Sequence, residues 1–212
     1  MSEAGLLTLV QWLSPAFPVG SYAYSHGLEA AIASGQVRTA ADLEGWIATI
    51  LADGSGRNDA ILLAEALKPA ADLPALAALA EALAASRERL VETMEQGRAL
   101  LATTNALKAG DHPPMPYPVA LGAAAAPLGL PVVQVLALYL HTFASNLVQA
   151  GVRFIPLGQT EGQRALAALH PVIQRVARDA ATAGLDGLGG GALRGDLAAM
   201  QHETMDVRIF RT

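Results

Sequence analysis

Apolar positions recur along this chain at helical spacing, and Pro, Gly and small polar residues punctuate them. The clearest stretch is Leu43, Trp46, Ile47, Ile50 and Leu51, an i, i+3, i+4, i+7, i+8 pattern that marks the buried face of one helix. Thr39 stands where its N-cap belongs, and Asp42 places a carboxylate in the first turn. Before it, residues 6–13 read as a short apolar helix stopped by Pro15. Residues 22–34 read as a second helix, with Gly35 as its stop. After Gly54-Ser55-Gly56, helices are expected over 59–67 and 73–85. Another runs from a Ser86 cap to 107, with Leu90, Val91, Met94, Arg98 and Leu101 on its inner stripe. Gly97 in that helix allows a neighbouring backbone to come close. Residues 109–118 are a loop that Pro113-Pro114 forces to extend. Helices follow over 117–126, from Pro131 to before Pro156, and over 160–183 with a kink near Pro171.

Period-2 runs of β-branched residues are nearly absent, so the expected fold is all-α: a single-domain bundle of eight to nine helices. Residues 1–183 form the core domain. Residues 184–195 hold six glycines and read as a flexible linker. Residues 196–212 are a polar tail too short to fold alone, which must dock or stay mobile.

Composition narrows the function. The 212 residues are 52% hydrophobic and only 16% charged, with net charge −5. Lys occurs only at Lys68 and Lys108 and Arg is scattered, so no basic stripe suits nucleic acid. Absence of Cys excludes disulfides and a thiol nucleophile. Neither Lys follows a glycine loop, so no nucleotide-hydrolysing P-loop is present. Residues 112–152 carry no charge but are broken by prolines, and 132–148 includes Gln134, His141 and Asn146, so a buried core helix is expected rather than a membrane span. Met1–Gly5 carry no basic run of a secretory leader, and the expected location is cytoplasmic. His26, His112, His141, His170 and His202 do not pair at i, i+3 or i+4. His141 reads as a hydrogen-bonded core residue and His112 as a loop residue. No catalytic, cofactor or metal residues are assigned.

Residues 14–29 differ from the Ala-rich remainder. They gather Pro, Phe, Tyr, Ser, His and Glu, and a continuous helix from Tyr22 places Tyr22, His26 and Glu29 on one face. The block is either a rigid elbow or a recognition surface, and the two are compatible.

Leu7 to Gly20, with its Ser-Pro-x-x-Pro-x-Gly turn, followed by Tyr24-Ser25-His26-Gly27-Leu28-Glu29, resembles the N-terminal signature of UreF, the urease accessory protein F family. Asn146 to Ala150 and Ile155 to Gln163 are similar to later blocks of that family, and His202-Glu203-Thr204 with Arg208 to Thr212 is similar to its tail. The resemblance implies an all-α, non-enzymatic chaperone without a cofactor. Its implied partners are accessory protein D (also called UreD or UreH), the GTPase UreG and apo-urease, with a homodimer in the complex. It also implies coupling of GTP hydrolysis to delivery of nickel, which is bound only in transit. The partner-binding residues expected on this basis are Ser14, Phe17, Pro18, Tyr22, Tyr24, His26, Glu29, His202, Glu203, Arg208, Phe210 and Arg211. A helical-bundle enzyme acting on a small molecule and a generic helical adaptor are the alternatives; no Glu-x-x-His pair supports the first.

Overall fold

The computed structural model describes residues 3–107 and 110–211. Among these the chain is all-α, with eleven α-helical segments, nine of them ten residues or longer, and no strand. The all-α single domain expected from the periodicity is what the structure shows.

Helix α1 (Glu3–Leu13) buries Leu9, Trp12 and Leu13 against the long helix α8 (Val132–Phe154). Helix α3 (Ala40–Asp53) buries the five positions its periodicity marks, and Thr39 with Asp42 closes a capping box at its start. Helix α4 (Ser55–Ala66) starts four residues earlier than expected, because Gly54 alone makes the break and the helix resumes at once. Helix α5 is Leu73–Ala82. Helix α6 (Arg87–Ala106) is capped by Ser86, whose Oγ accepts from the Arg89 amide. Helix α7 (Tyr117–Ala125) is buried along its whole length between α4 and α6. Gly97 lets it in: a Cβ there would sit 1.9 Å from the Met115 carbonyl oxygen.

The structure departs from the expected helix pattern most at three places. Residues 22–34 are not one helix: a 3-10 turn (Ser21–Ala23) ends at Tyr24, and α2 occupies only Leu28–Ala33. His26 (φ 58°) and Gly27 (φ 75°) are both left-handed, which no α-helix accommodates. The inner stripe of α6 is also different. Val91 is exposed, and the buried side chains include Glu92, Thr93, Gln96, Leu100, Leu101 and Thr104. Polar partners elsewhere in the fold draw that face inward. The third is 160–183, which breaks fully at Leu169 into α9 (Gln159–Ala168) and α10 (His170–Ala183), since Pro171 in the first turn of α10 has no amide for a continuous helix.

By length and composition α8 is apolar enough to cross a membrane, but half of its apolar stretch is buried in the bundle. Val135, Leu136, Tyr139, Leu140, Ala144, Leu147 and Val148 face the core. The glycine-rich segment lies on the domain: Arg57 donates to the Gly187 carbonyl, the Gly189 amide donates to Asn58 Oδ1, and Ala192 is buried. Helix α11 (Leu193–His202) then packs on α2 and α6. Its backbone comes so close that a Cβ on Gly27 would lie 2.5 Å from the Ala199 nitrogen. Ala109, where the expected loop begins, and Thr212 lie outside the described residues.

Candidate partner-binding site

The signature block and the tail meet at one corner, and α6 is the post to which both are tied. Glu88, Glu92 and Glu95 follow one another at spacings of four and three along α6, so their carboxylates line one face. Each takes a partner from far away in sequence. Glu88 lies 2.7 Å from His202 Nδ1 and accepts from Arg208 at 2.6 Å. Glu92 Oε2 is 3.1 Å from His26 Nδ1. Glu95 accepts from the Tyr24 hydroxyl at 2.7 Å and from Arg211 at 3.0 Å. Burial, then the Glu95 carboxylate, pushes the Tyr24 hydroxyl well above its ordinary pKa.

Glu29 is the clasp. The residue is 5% exposed, and its carboxylate accepts the Ile209 and Phe210 amides, each at 2.9 Å. His202 Nε2 stands 3.1 Å from it. His202 is fully buried with a carboxylate at each ring nitrogen. Burial by itself raises the pKa of Glu29. The Phe210 and Ile209 amides and then His202 outweigh it, holding the carboxyl below its usual range. Beside the clasp the Arg211 amide donates to the Ala23 carbonyl, and buried Phe210 packs its ring against Phe154 with the Arg153 guanidinium over it. Glu203 Oε1 accepts the Glu88 amide at the α6 N-terminus, where a carboxylate is favoured.

Thus Tyr24, Glu29, His202, Glu203, Arg208, Phe210 and Arg211 come together. Glu29, His202 and Phe210 are buried, so they shape this corner and do not form its outer surface. Tyr22 is 66% exposed, while His26 turns inward toward α4 and α6, so these two and Glu29 do not share a helical face. Ser14, Phe17 and Pro18 form the elbow after α1: the Ala16 amide donates to Ser14 Oγ, the Phe17 amide to the Ser14 carbonyl, Phe17 is buried and Pro18 is exposed. Around the corner stand exposed apolar side chains: Leu193, Leu197 and Met200 at helical spacing on α11, then Val207 and Ile209. His112 is a loop residue clamped by Asn105. His141 is only half-buried, and its ring lies 5.5 Å from that of His170, so it is not a core residue. Among the described residues no group of three or more metal-ligating side chains is gathered.

Sequence reasoning missed the α6 carboxylates, although their 4–3 spacing was readable. It also missed the pair beneath them, Arg89 with Asp59, whose carboxylate also accepts from Tyr139 at 2.6 Å.

The chain is thus an all-α domain whose signature block and tail are fastened into one corner, with exposed apolar side chains around it. The sequence pattern of the UreF family matches residues 37–170. The chain is 66% identical to the urease accessory protein UreF of Cereibacter sphaeroides strain KD131, over 99% of this chain and all of the relative. It is 53% identical to that of Jannaschia sp. strain CCS1 and 44% identical to that of Rhodopseudomonas palustris strain BisA53, over 98% and 99% of this chain and 94% of each relative. The chain belongs to the UreF family of urease accessory proteins, as its signature blocks implied.

Proposed function

We propose that this chain is a helical scaffold that bridges accessory protein D and the GTPase UreG on apo-urease, and that couples GTP hydrolysis to nickel delivery. It does so in the cytoplasm as a homodimer within the complex, with nickel passing through and not residing. The observation that supports this most is the fastened corner. The tail from Leu193 onward carries exposed Leu193, Leu197, Met200, Val207 and Ile209, and Glu29 holds its end through two backbone amides. Such a row suits an apolar interface core, with Arg208 and Arg211 as a polar rim.

In this reading the tail serves protein D and the 14–29 block serves UreG and the dimer contact. Tyr22 and Pro18 meet the partner directly, whereas Tyr24 and Glu29 act by holding the corner in shape. Scaffolding of this kind needs no chemistry from the chain, because one nucleotide state of a partner is selected by differential affinity. The test is co-purification of the chain with protein D and UreG. The full chain should carry both. A chain truncated after Gly195 should keep its helical core and lose protein D, and full D binding by the truncated chain would refute the assignment.

A further inference from the structure

Two histidines that take no part in the fastened corner meet across the packed helices α8 and α10. His141 lies midway along α8 and His170 opens α10. Their ring centres are 5.5 Å apart and the ring planes are tilted by 43°. We propose that His141 and His170 form a two-imidazole site for a divalent ion of the zinc type, with water filling the remaining positions.

The separation of the rings fits one ion between them. A zinc ion stands about 2.0–2.1 Å from an imidazole nitrogen and so about 3.2 Å from the ring centre, which puts two rings on one tetrahedral ion about 5.2 Å apart. The observed spacing is close to that value with both helices where they are. Neither ring takes a hydrogen bond or ion pair from another described residue, so each neutral imidazole keeps a lone pair for an ion. Burial, and then the neighbouring His170, lowers the pKa of His141, and the neutral ring is the form that binds metal.

The backbone on each side is fixed. Leu140 and Leu169, the residues that precede the two histidines, are buried, and Pro171 sets the first turn of α10. Ligands carried on two packed helices are held in place without the ordering of a loop. The site is also open to solvent. His170 is exposed, and His141 lines a cleft with Leu138, Thr142 and Ser145. Among the described residues no third His, Cys, Asp or Glu joins the pair. The ion therefore keeps water ligands and exchanges, unlike zinc in a closed four-ligand structural site. While bound it ties α10 to α8, and because it binds the folded chain it raises the melting temperature.

This site lies apart from the scaffold role, and its readout uses neither urease nor any partner. The full chain is titrated with zinc chloride by calorimetry, and the imidazole nitrogens are followed by NMR. One ion per chain is expected, with shifts at the His141 and His170 nitrogens but not at His112, and with a higher melting temperature. Each of His141→Ala and His170→Ala should weaken binding on the order of 10²-fold, because the second imidazole of a fixed pair acts at high effective concentration. His112→Ala should leave the affinity unchanged. His170 is exposed, so its replacement leaves the packing intact and its variant decides the matter. Nitrogen shifts at only one of the two rings, or at neither, overturn the proposal. So does an affinity or a zinc-induced rise in melting temperature that His170→Ala leaves unchanged.

Discussion

Replacing Glu29 with Ala removes the clasp while leaving the helices it joins. Its carboxylate takes two tail amides at 2.9 Å and faces His202 at 3.1 Å in a 5%-exposed setting. Hydrogen bonds to a charged group contribute about 1.5–3 kcal/mol each but are not additive. The variant also leaves the Phe210 amide and one nitrogen of His202 buried without an acceptor. Each buried group left unsatisfied costs about 1–3 kcal/mol, so the total is about 3–4 kcal/mol. At 1.4 kcal/mol per ten-fold, the tail should open on the order of 10² to 10³ times more often. Native-state hydrogen exchange reads this directly, because local opening is reported amide by amide. The Ile209 and Phe210 amides should lose roughly that factor of protection, while those of α3 keep theirs. Unchanged protection at Phe210 would refute the clasp. An equal loss in α3 would show that tail and core open as one unit.

Acid should act in the same direction. Glu29 and Glu92 have carboxyl pKa values lowered in the fold, so their contribution is present above the ordinary carboxylate pKa of about 4.3 and lost as pH falls through the lower folded values. Melting temperature should therefore drop below about pH 4, and less steeply in Glu29→Gln; an identical acid limb in that variant would contradict the linkage. Gly97→Ala should destabilise by about 1–3 kcal/mol or more, read by urea unfolding, since α7 must move off α6 to admit the methyl. Asp59→Ala strands buried Arg89 and should cost about 3–5 kcal/mol in the same assay, with Tyr139→Phe far milder. A loss below 1 kcal/mol for Asp59→Ala would mean that Glu92, 3.5 Å from Arg89, suffices as its partner.

Local physics was legible wherever a helix obeys its own periodicity. In α3 the apolar face and the Thr39–Asp42 cap are both where the residues place them. The same reasoning fails at His26 and Gly27, because a left-handed residue is allowed by backbone sterics but not announced by composition, and one such pair ends a helix. It fails on α6 because the periodicity rule counts apolar positions, whereas the buried face there holds Glu92, Thr93 and Gln96. Those side chains are inside because of partners brought near by topology alone. Both halves of the candidate site were visible as separate blocks, 14–29 by its composition and 196–212 as a polar tail. That Glu29 meets Phe210 was not visible, because no local rule links residues so far apart.

The account rests on the fastened corner as the platform for partner assembly, and nickel-dependent activation of apo-urease tests that most directly. With accessory protein D, UreG, GTP and bicarbonate supplied, the wild-type chain should raise urease activity well above the level reached without it. Glu29→Ala, folded by circular dichroism, should return most of the way to that lower level. Full activation by Glu29→Ala with its tail demonstrably released would contradict the account.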